Sequence, residues 1–566
     1  MLPLGDHKAR PYDAGCENDE KIQAKEVGMS NLCWWKAIFF LCVLCVGAIG
    51  SPGQTFKTLA NFDRTVGGNP YAALVQATDG NLYGTTYTGG AYGDGTVFKI
   101  TTGGALTPLH SFDGTDGAGP RAGLVLATDG DLYGTTVSGG AYSCTIGACG
   151  TVFNITTGDA LVWVQSFDGT DGAYPHAGLV QATDGNFYGT TSFGGAYAGG
   201  TFFKITPGGT LTTLYSFGYS EGVYPNGGLV QATDGNFYGT TFADQPGNGL
   251  GTVFKITTGG VLTQLHFFDG TDGANPLAGL VQATNGNLYG TTYHGGAYGD
   301  GTVFKITPGG TLTPLHSFDG ADGANPQAGL VQGTDGNLYG TTDTGGAYGD
   351  GTLFKITTGG TLSTLHSLDG TDGANPYAGL VQATNGTLYG TTYDGGASGD
   401  GTVFSLSVGL SPFVEPLTYS GKVGSTIEFL GQGFTSSTTV CFNGKAAIRK
   451  VVSGTYLTAT VPSGATTSFV TVTTSGGTLK SNKIFRVIPQ ITTFSPTRGP
   501  VGKSVTITGE SLTGATSVTF HGVEAKFTLD SYTQITATVP AGAKTGKIDV
   551  TTPGGTATST GTFTVN

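Results

Sequence analysis

The sequence predicts an all-β protein: a seven-bladed β-propeller closed by an N-terminal strand, followed by two immunoglobulin-like β-sandwiches. Three observations carry this expectation. A unit of about fifty residues recurs seven times between Thr55 and Leu406, marked by Tyr-Gly-Thr-Thr at Tyr83, Tyr133, Tyr188, Tyr238, Tyr289, Tyr339 and Tyr389. Periods of that size belong to propellers, solenoids or arrays. Each unit holds four apolar runs, and the array starts and stops out of phase with its own unit.

The four runs are short, as in GLVQAT from Gly279, NLYGTT from Asn287, GTVFKIT from Gly301 and LTPLHSFD from Leu312. Val, Phe, Tyr, Thr and Leu dominate them, and Asp-Gly, Asn-Gly and Gly-Gly separate them, which is the chemistry of strands joined by tight turns. Four antiparallel strands per unit make one propeller blade. The array opens on FKTLANFD from Phe56, a fourth strand, and ends on GTVFSL from Gly401, a third. The strand count balances only if the N-terminal strand completes the last blade. Such a ring leaves no open central edge, whereas a β-solenoid has no reason to balance its count.

Residues 1–50 read as a signal peptide or an N-terminal membrane anchor. The apolar run from Ala37 to Gly50 follows Lys36, precedes Ser51-Pro52 and is short for a membrane span. Ala48 and Gly50 suit a cut before Ser51. The polar leader before Met29 leads us to expect translation from Met29 rather than Met1. Of the cysteines beyond this segment, Cys144 and Cys149 lie in an insertion of the second repeat, and in an exported chain such a pair forms a local disulfide. Zinc is a poor reading, with no further Cys or His at ligand spacing. Cys441 is expected to stay unpaired at a surface strand position.

Charge marks the boundary between ring and tail. Residues 51–407 hold 25 Asp, one Glu and 8 Lys or Arg, and residues 408–566 hold 6 acids and 12 bases. The tail divides into residues 408–488 and 489–566. The second unit reads FSPTRGPVGKSVTITGESL from Phe494, VTFHGVEA from Val518 and ITATVPAGAKTGKIDVTTPGGT from Ile535, with weaker counterparts from Val423, Val440 and Leu457. β-Branched alternation between Gly and Pro turns suits a small sandwich. These motifs resemble the IPT/TIG family of immunoglobulin-like domains, which implies spacers and surface modules and, in some members, transcription factors. DNA binding is disfavoured by the export signal, the net charge of −13 and the lack of an Arg-rich reading loop. The ring resembles the bacterial GloVer tandem-repeat family through GLVQATDGN, LYGTT, GGAYGDGTVFKIT and SFDGTDGANP. That resemblance implies surface or secreted proteins and transfers no catalytic residue.

Function is sought where the repeats differ. In a propeller the first-to-second and third-to-fourth turns share one face, here with tight, nearly constant turns. The other face carries the long second-to-third loops and the blade crossings. After the crossing-loop proline the copies read Tyr71, Arg121, His176, Asn226, Leu277, Gln327 and Tyr377; after Tyr-Gly-Thr-Thr they read Tyr87, Val137, Ser192, Phe242, Tyr293, Asp343 and Tyr393. A constant framework with variable aromatic and polar loop positions presents a binding surface, and neutral drift at exposed sites gives the same pattern. The candidate ligand-binding residues are Tyr71, Arg121, His176, Asn226, Gln327, Tyr377, Tyr87, Phe242, Tyr293 and Tyr393.

The same face carries recurring acid pairs: Asp113 with Asp116, Asp168 with Asp171, Asp269 with Asp272, Asp319 with Asp322, and Asp369 with Asp372. Such loops can offer oxygen ligands to Ca²⁺, and Asp is equally at home in turns through bonds to nearby amides. The candidate calcium ligands are Asp113, Asp116, Asp269, Asp272, Asp319, Asp322, Asp369 and Asp372. No other cofactor is expected. His110, His266, His316 and His366 share a fourth-strand position with Ala60, Gln165 and Tyr215, which suits packing rather than a general base. Gln76, Gln181, Gln231, Gln282, Gln332 and Gln382 recur near the axis and are expected to satisfy backbone groups there. The sequence therefore points to an exported, extracellular or surface-held, non-catalytic binding or adhesion protein. Its partner is an extracellular glycan or a surface protein, with no nucleic acid, and with membrane contact only through an uncleaved N-terminal segment. A carbohydrate-active hydrolase or lyase and a structural envelope or matrix component are the alternatives.

Overall fold

A computed structural model describes residues 54–144, 147–244 and 249–566, so the expectations about residues 1–50 and Met29 lie outside the described residues. Seven four-stranded antiparallel sheets stand in chain order. In the fifth, the strands Val281–Gln282, Leu288–Thr292, Thr302–Ile306 and Leu312–Ser317 pair consecutively. The innermost strand is two residues long, shorter than its apolar run suggests. The seventh blade is completed from the other end of the ring. There Thr55–Asn61 lies antiparallel to Thr402–Ser407, with Phe56 opposite Leu406 and Asn61 opposite Thr402.

The core lies between blades. Tyr289, Val303 and Phe318 of the fifth pack on Leu330, Leu338, Phe354 and Ile356, which lead into and form the sixth. Phe62, Tyr389 and Val403 of the seventh pack on Leu74, Leu82, Phe98 and Ile100 at the first. Each letter of Tyr-Gly-Thr-Thr has a task in this packing. The Tyr83 hydroxyl donates to Asp79 in the adjacent tight turn at 2.8 Å. Gly84 is required because a Cβ there would stand 2.6 Å from the Phe98 ring and 2.7 Å from Leu74. The first Thr bonds the next blade: Thr291 Oγ1 donates to Ala328 O at 3.0 Å, and Thr391 to Ala72 O at 3.3 Å closes the circle. The second Thr meets the first residue of the third strand, as in Thr292 Oγ1 to Thr302 Oγ1 at 2.9 Å.

The recurring glutamines form a second belt around the axis. Gln282 Oε1 accepts from the amide of Thr233 one blade back at 2.9 Å, and Gln76 accepts from Thr384 across the closure at 2.9 Å. The belt breaks only in the second blade, where Leu126 stands in place of glutamine. That break is where the first sandwich docks.

Residues 408–488 fold as a sandwich around Phe429, Phe442, Phe485 and Val472, and residues 489–566 as another around Val505, Ile507, Phe520, Ile535 and Val550. Both share one layout, with a short strand paired in parallel to the end of the unit: Ser420–Lys422 with Arg486–Ile488, and Arg498–Gly499 with Thr564–Val565. The first sandwich sits on the tight-turn face of the ring. Leu417, Leu430 and Tyr456 join the cluster of Leu124, Leu126 and Leu132. Thr455 Oγ1 donates to Thr78 O of the first blade at 2.8 Å, Thr384 Oγ1 of the seventh donates to Gly431 O at 3.3 Å, and Arg486 reaches Thr233 O of the fourth. Contacts to blades on opposite sides of the ring mean that the sandwich spans the axial mouth on this face. Thr55, where the N-terminal strand starts opposite Ser407, lies on this face too.

Cys441 corrects the sequence reading. It is 4 % exposed within the strand Thr439–Phe442 and is not a free thiol. Cys144 and Cys149 are joined by a disulfide, their Cα atoms 5.3 Å apart. Among the described residues no helix is long and apolar enough to cross a membrane.

Deleting Thr55–Asn61 should expose the edge of Thr402–Ser407 and raise aggregation measured by light scattering; an unchanged melting profile would count against closure. Leu430, 2 % exposed, is replaced by Asp in a second test. An unpaired carboxylate there costs several kcal/mol, so calorimetry should resolve a sandwich transition well below that of the propeller, whereas a single unshifted transition would deny the docking.

Candidate functional site

The long-loop face is built from turns that position side chains at the axis. In each crossing loop the first aspartate organises the backbone. Asp269 Oδ1 accepts from the Thr271 amide at 2.8 Å, the Thr271 hydroxyl at 2.6 Å and the Asp272 amide at 3.2 Å. Asp272 Oδ1 returns an acceptor to the Asp269 amide at 3.1 Å, and its other oxygen meets His266 Nε2 at 2.6 Å.

The same arrangement recurs at the other pairs. Asp116, Asp322 and Asp372 each engage both carboxylate oxygens within their own blade. Asp116 meets His110 Nε2 at 2.7 Å and accepts from the Asp113 amide at 3.0 Å. Asp322 meets His316 Nε2 at 2.6 Å and accepts from the Asp319 amide at 3.2 Å. Asp372 meets His366 Nε2 at 2.6 Å and accepts from the Asp369 amide at 3.1 Å. Asp113, Asp319 and Asp369 in turn hold amides of their own loops, as Asp269 does. These carboxylates serve turns and histidines, and among the described residues no group of three or more His, Cys, Asp or Glu is placed to share a metal ion. The His–Asp pairing went unseen in the sequence because the partners sit on different elements.

Asp171 is the aspartate at this position whose strand neighbour is Gln165 rather than histidine. Burial raises its carboxyl to about 6.

The crossing loop then turns at an asparagine with positive φ, such as Asn325 (56°) or Asn375 (52°), a conformation Asn tolerates better than most residues. Its side chain reaches back one blade: Asn325 Nδ2 donates to Tyr293 O at 3.0 Å and Asn375 Nδ2 to Asp343 Oδ1 at 3.1 Å. Proline follows, and the residue after it belongs to the ring of variable positions.

These variable side chains meet over the axis. The Tyr71 ring lies 4.8 Å from that of Tyr377, 5.7 Å from Tyr393 and 6.5 Å from Tyr87, and Tyr377 lies 4.7 Å from Tyr393. The Tyr71 hydroxyl donates to Gln327 Oε1 at 3.2 Å, two blades away, and Gln327 Nε2 donates to Asp343 Oδ2 at 3.0 Å. The Arg121 guanidinium carbon stands 4.8 Å from the Tyr71 ring centre and 5.0 Å from that of Tyr87. Tyr71, Tyr87, Arg121, Gln327, Tyr377 and Tyr393 therefore form one half-buried centre. Tyr293 and His176 border it through their electrostatic coupling to Tyr71 and Arg121. Asn226 instead pairs locally, accepting from Ser192 Oγ at 2.6 Å, and Phe242 is half-buried with its carbonyl taken by Asn275.

The electrostatics of the centre follow from burial. Burial pushes the Tyr71, Tyr293, Tyr377 and Tyr393 hydroxyls up, so all four are neutral donors at physiological pH. Burial, with Arg121 adding to it, pushes His176 down to about 4 and leaves it uncharged. Asp343 is raised by burial, offset by its bonds from Gln327 and Asn375. Asp394 is raised by burial and then by Asp343 and Asp400.

A second feature of this face is nearly constant among the repeats, so variation does not mark it. Tyr92, Tyr142, Tyr197, Tyr298 and Tyr348, in the second-to-third loops, are 67 %, 53 %, 66 %, 67 % and 67 % exposed. The signal was available in the sequence: a tyrosine recurs at the same place in the Gly-rich second-to-third loops of five repeats.

Fold and faces together define a class, a propeller scaffold with a sandwich docked on one face and long loops presented on the other. Within it the chain belongs to the Gloeobacter/Verrucomicrobia repeat family, whose model matches residues 48–249 and 231–429. Residues 489–565 match the IPT/TIG domain. No curated protein matches the chain. Similar solved structures include a fungal alcohol oxidase of the AA5 family in complex with copper, at 14 % identity over 76 % of this chain and 98 % of that one, with a TM-score of 0.45. Another is a putative 6-phosphogluconolactonase from Bacteroides fragilis, at 19 % identity over 56 % and 86 % of the two chains, TM-score 0.38. A third is the extracellular domain of a putative one-component system from B. thetaiotaomicron, at 12 % identity over 76 % and 58 %, TM-score 0.40.

Two half-buried groups shape stability against pH in opposite directions. His176 falls from an ordinary 6.5 to about 4 in the fold, so its contribution is full above pH 6.5 and is lost as pH drops toward 4. Asp171 rises from 3.8 to about 6, so its contribution is full below pH 3.8 and is lost as pH rises through 6. In denaturant titrations His176→Gln should flatten the acid limb, and Asp171→Asn should gain stability over the parent at pH 8 but not at pH 3.5. Parallel curves for parent and variants would refute both assignments.

Proposed function

We propose that this chain is an exported, surface-presented binding protein whose long-loop face takes an extracellular glycan without transforming it. One observation carries the reading: the first sandwich and the entry of the N-terminal strand both occupy the tight-turn face. Among the described residues nothing covers the long loops, which carry five exposed tyrosines around a tyrosine-lined centre. Tyrosine rings stack on the apolar faces of sugars while their hydroxyls, and neighbouring carboxylates such as Asp94, Asp300 and Asp350, meet sugar hydroxyls. Export accords with the Ala37–Gly50 run and with the disulfide between Cys144 and Cys149. Calcium enters this proposal only as a condition to vary.

A second reading, a carbohydrate-active enzyme, is favoured by one observation. Asp343 and Asp394 are acids that the other repeats lack at these positions, and Asp343 raises the Asp394 carboxyl. Paired carboxylates of perturbed acidity are what glycoside hydrolysis uses.

The mature chain is applied to a broad glycan and polysaccharide array with and without Ca²⁺. Saturable binding is expected. Changing Tyr92, Tyr298 and Tyr348 together to Ala, at positions too exposed to disturb the fold, should weaken it at least tenfold. Tyr71→Ala with Tyr377→Ala should weaken it as well. Absence of binding under both conditions would reject the glycan reading in favour of a protein partner or a structural role. Released product, abolished in Asp343→Asn, would establish the enzyme instead.

A further inference from the structure

We infer that Arg121 makes the axial centre a reader of a carboxylate, so that the glycan taken by the long-loop face places a uronic-acid residue at the mouth. This rests on the glycan reading above and narrows it to one ligand chemistry.

Arg121 is an arginine whose donors are unspent. The propeller has two arginines, Arg64 and Arg121. Arg64 gives its Nε to Asp400 at 2.7 Å. Arg121 has no ion pair and no hydrogen-bond acceptor among the described residues, and its Nε is buried without a partner. This occurs in a ring whose 25 Asp and one Glu far outnumber 8 Lys and Arg, so carboxylates are abundant, yet none among the described residues pairs with Arg121. A half-buried guanidinium left without an acceptor is costly, and such a group calls for a functional explanation.

Its surroundings hold it ready. Tyr71 and Tyr87 flank the guanidinium at 4.8 and 5.0 Å, cation–π contacts that use none of its N–H groups. Asp343, an acid of the centre, is already engaged by Gln327 at 3.0 Å and Asn375 at 3.1 Å. A preorganised fork of this kind is matched by a planar carboxylate, which accepts two parallel N–H bonds. Tyrosine walls add a requirement that the carboxylate be carried on a ring with apolar faces, which a uronic acid satisfies. The acidic ring repels a densely charged polyanion, so the ligand carries isolated uronates, at a chain end or in an otherwise neutral chain.

The test spots each uronate-bearing glycan beside its carboxyl-reduced form, which keeps the sugar ring and removes only the charge. The parent chain should prefer the acid form at least tenfold. Arg121→Gln should lose that preference and Arg121→Lys should keep part of it, with thermal melts confirming that both variants fold. Equal binding of acid and reduced forms, or an unaltered preference in Arg121→Gln, overturns the carboxylate assignment and leaves glycan binding standing. Failure of every glycan to bind the parent overturns both.

Discussion

Circular closure is the constraint on which the rest of this structure depends. Seven blades bury their apolar faces only against one another, so each needs two neighbours, and the last needs the first. The N-terminal strand meets that need by pairing with Thr402–Ser407. The bonds that stitch blade to blade are themselves repeated. The first threonine of each marker reaches the next crossing loop, and the axial glutamines accept from the blade behind. A repeat of this kind can vary its loops freely, because the load rests on a few side chains that recur in every copy.

Closure also makes two unlike faces. The tight turns leave no room for variation, and where the glutamine belt is interrupted at Leu126 an apolar patch receives Leu417, Leu430 and Tyr456 of the first sandwich. The sandwich is thus a lid across one axial mouth rather than a bead on a linker. At the opposite mouth the post-proline residues converge, and unlike side chains from different blades touch. Tyr71 and Gln327 are 256 residues apart and share a hydrogen bond. A single asymmetric centre arises in this way inside a nearly symmetric ring, surrounded by loops that repeat the same exposed tyrosine.

Much of this was legible because repetition is its own alignment. Blade number, strand order and the swapped closing strand follow from period and phase. The two faces follow from which turns are long. The acid pairs were legible as turns or as metal ligands, and only the amide bonds around Asp269 and the histidine contacts of Asp116, Asp272, Asp322 and Asp372 show what the carboxylates do. The exposed Tyr92, Tyr298 and Tyr348 were overlooked because constancy was read as framework. Alignment of Cys441 with Thr519 points to a surface strand position, but in the first sandwich this side chain is buried.

The sequence by itself determined the architecture, since a fifty-residue hydrophobic and turn period can be satisfied in only one way once the strand count must close. It also determined which positions vary. Only the tertiary structure decided what those positions do together: that Arg121 lies between two tyrosines without a carboxylate, that Asp343 is tied by Gln327 and Asn375, and that a sandwich covers the other face. The physical reason is distance. Strand patterns are set by neighbours a few residues apart, whereas the axial centre and the docked lid join residues that are far apart in the chain and meet only when the ring is shut.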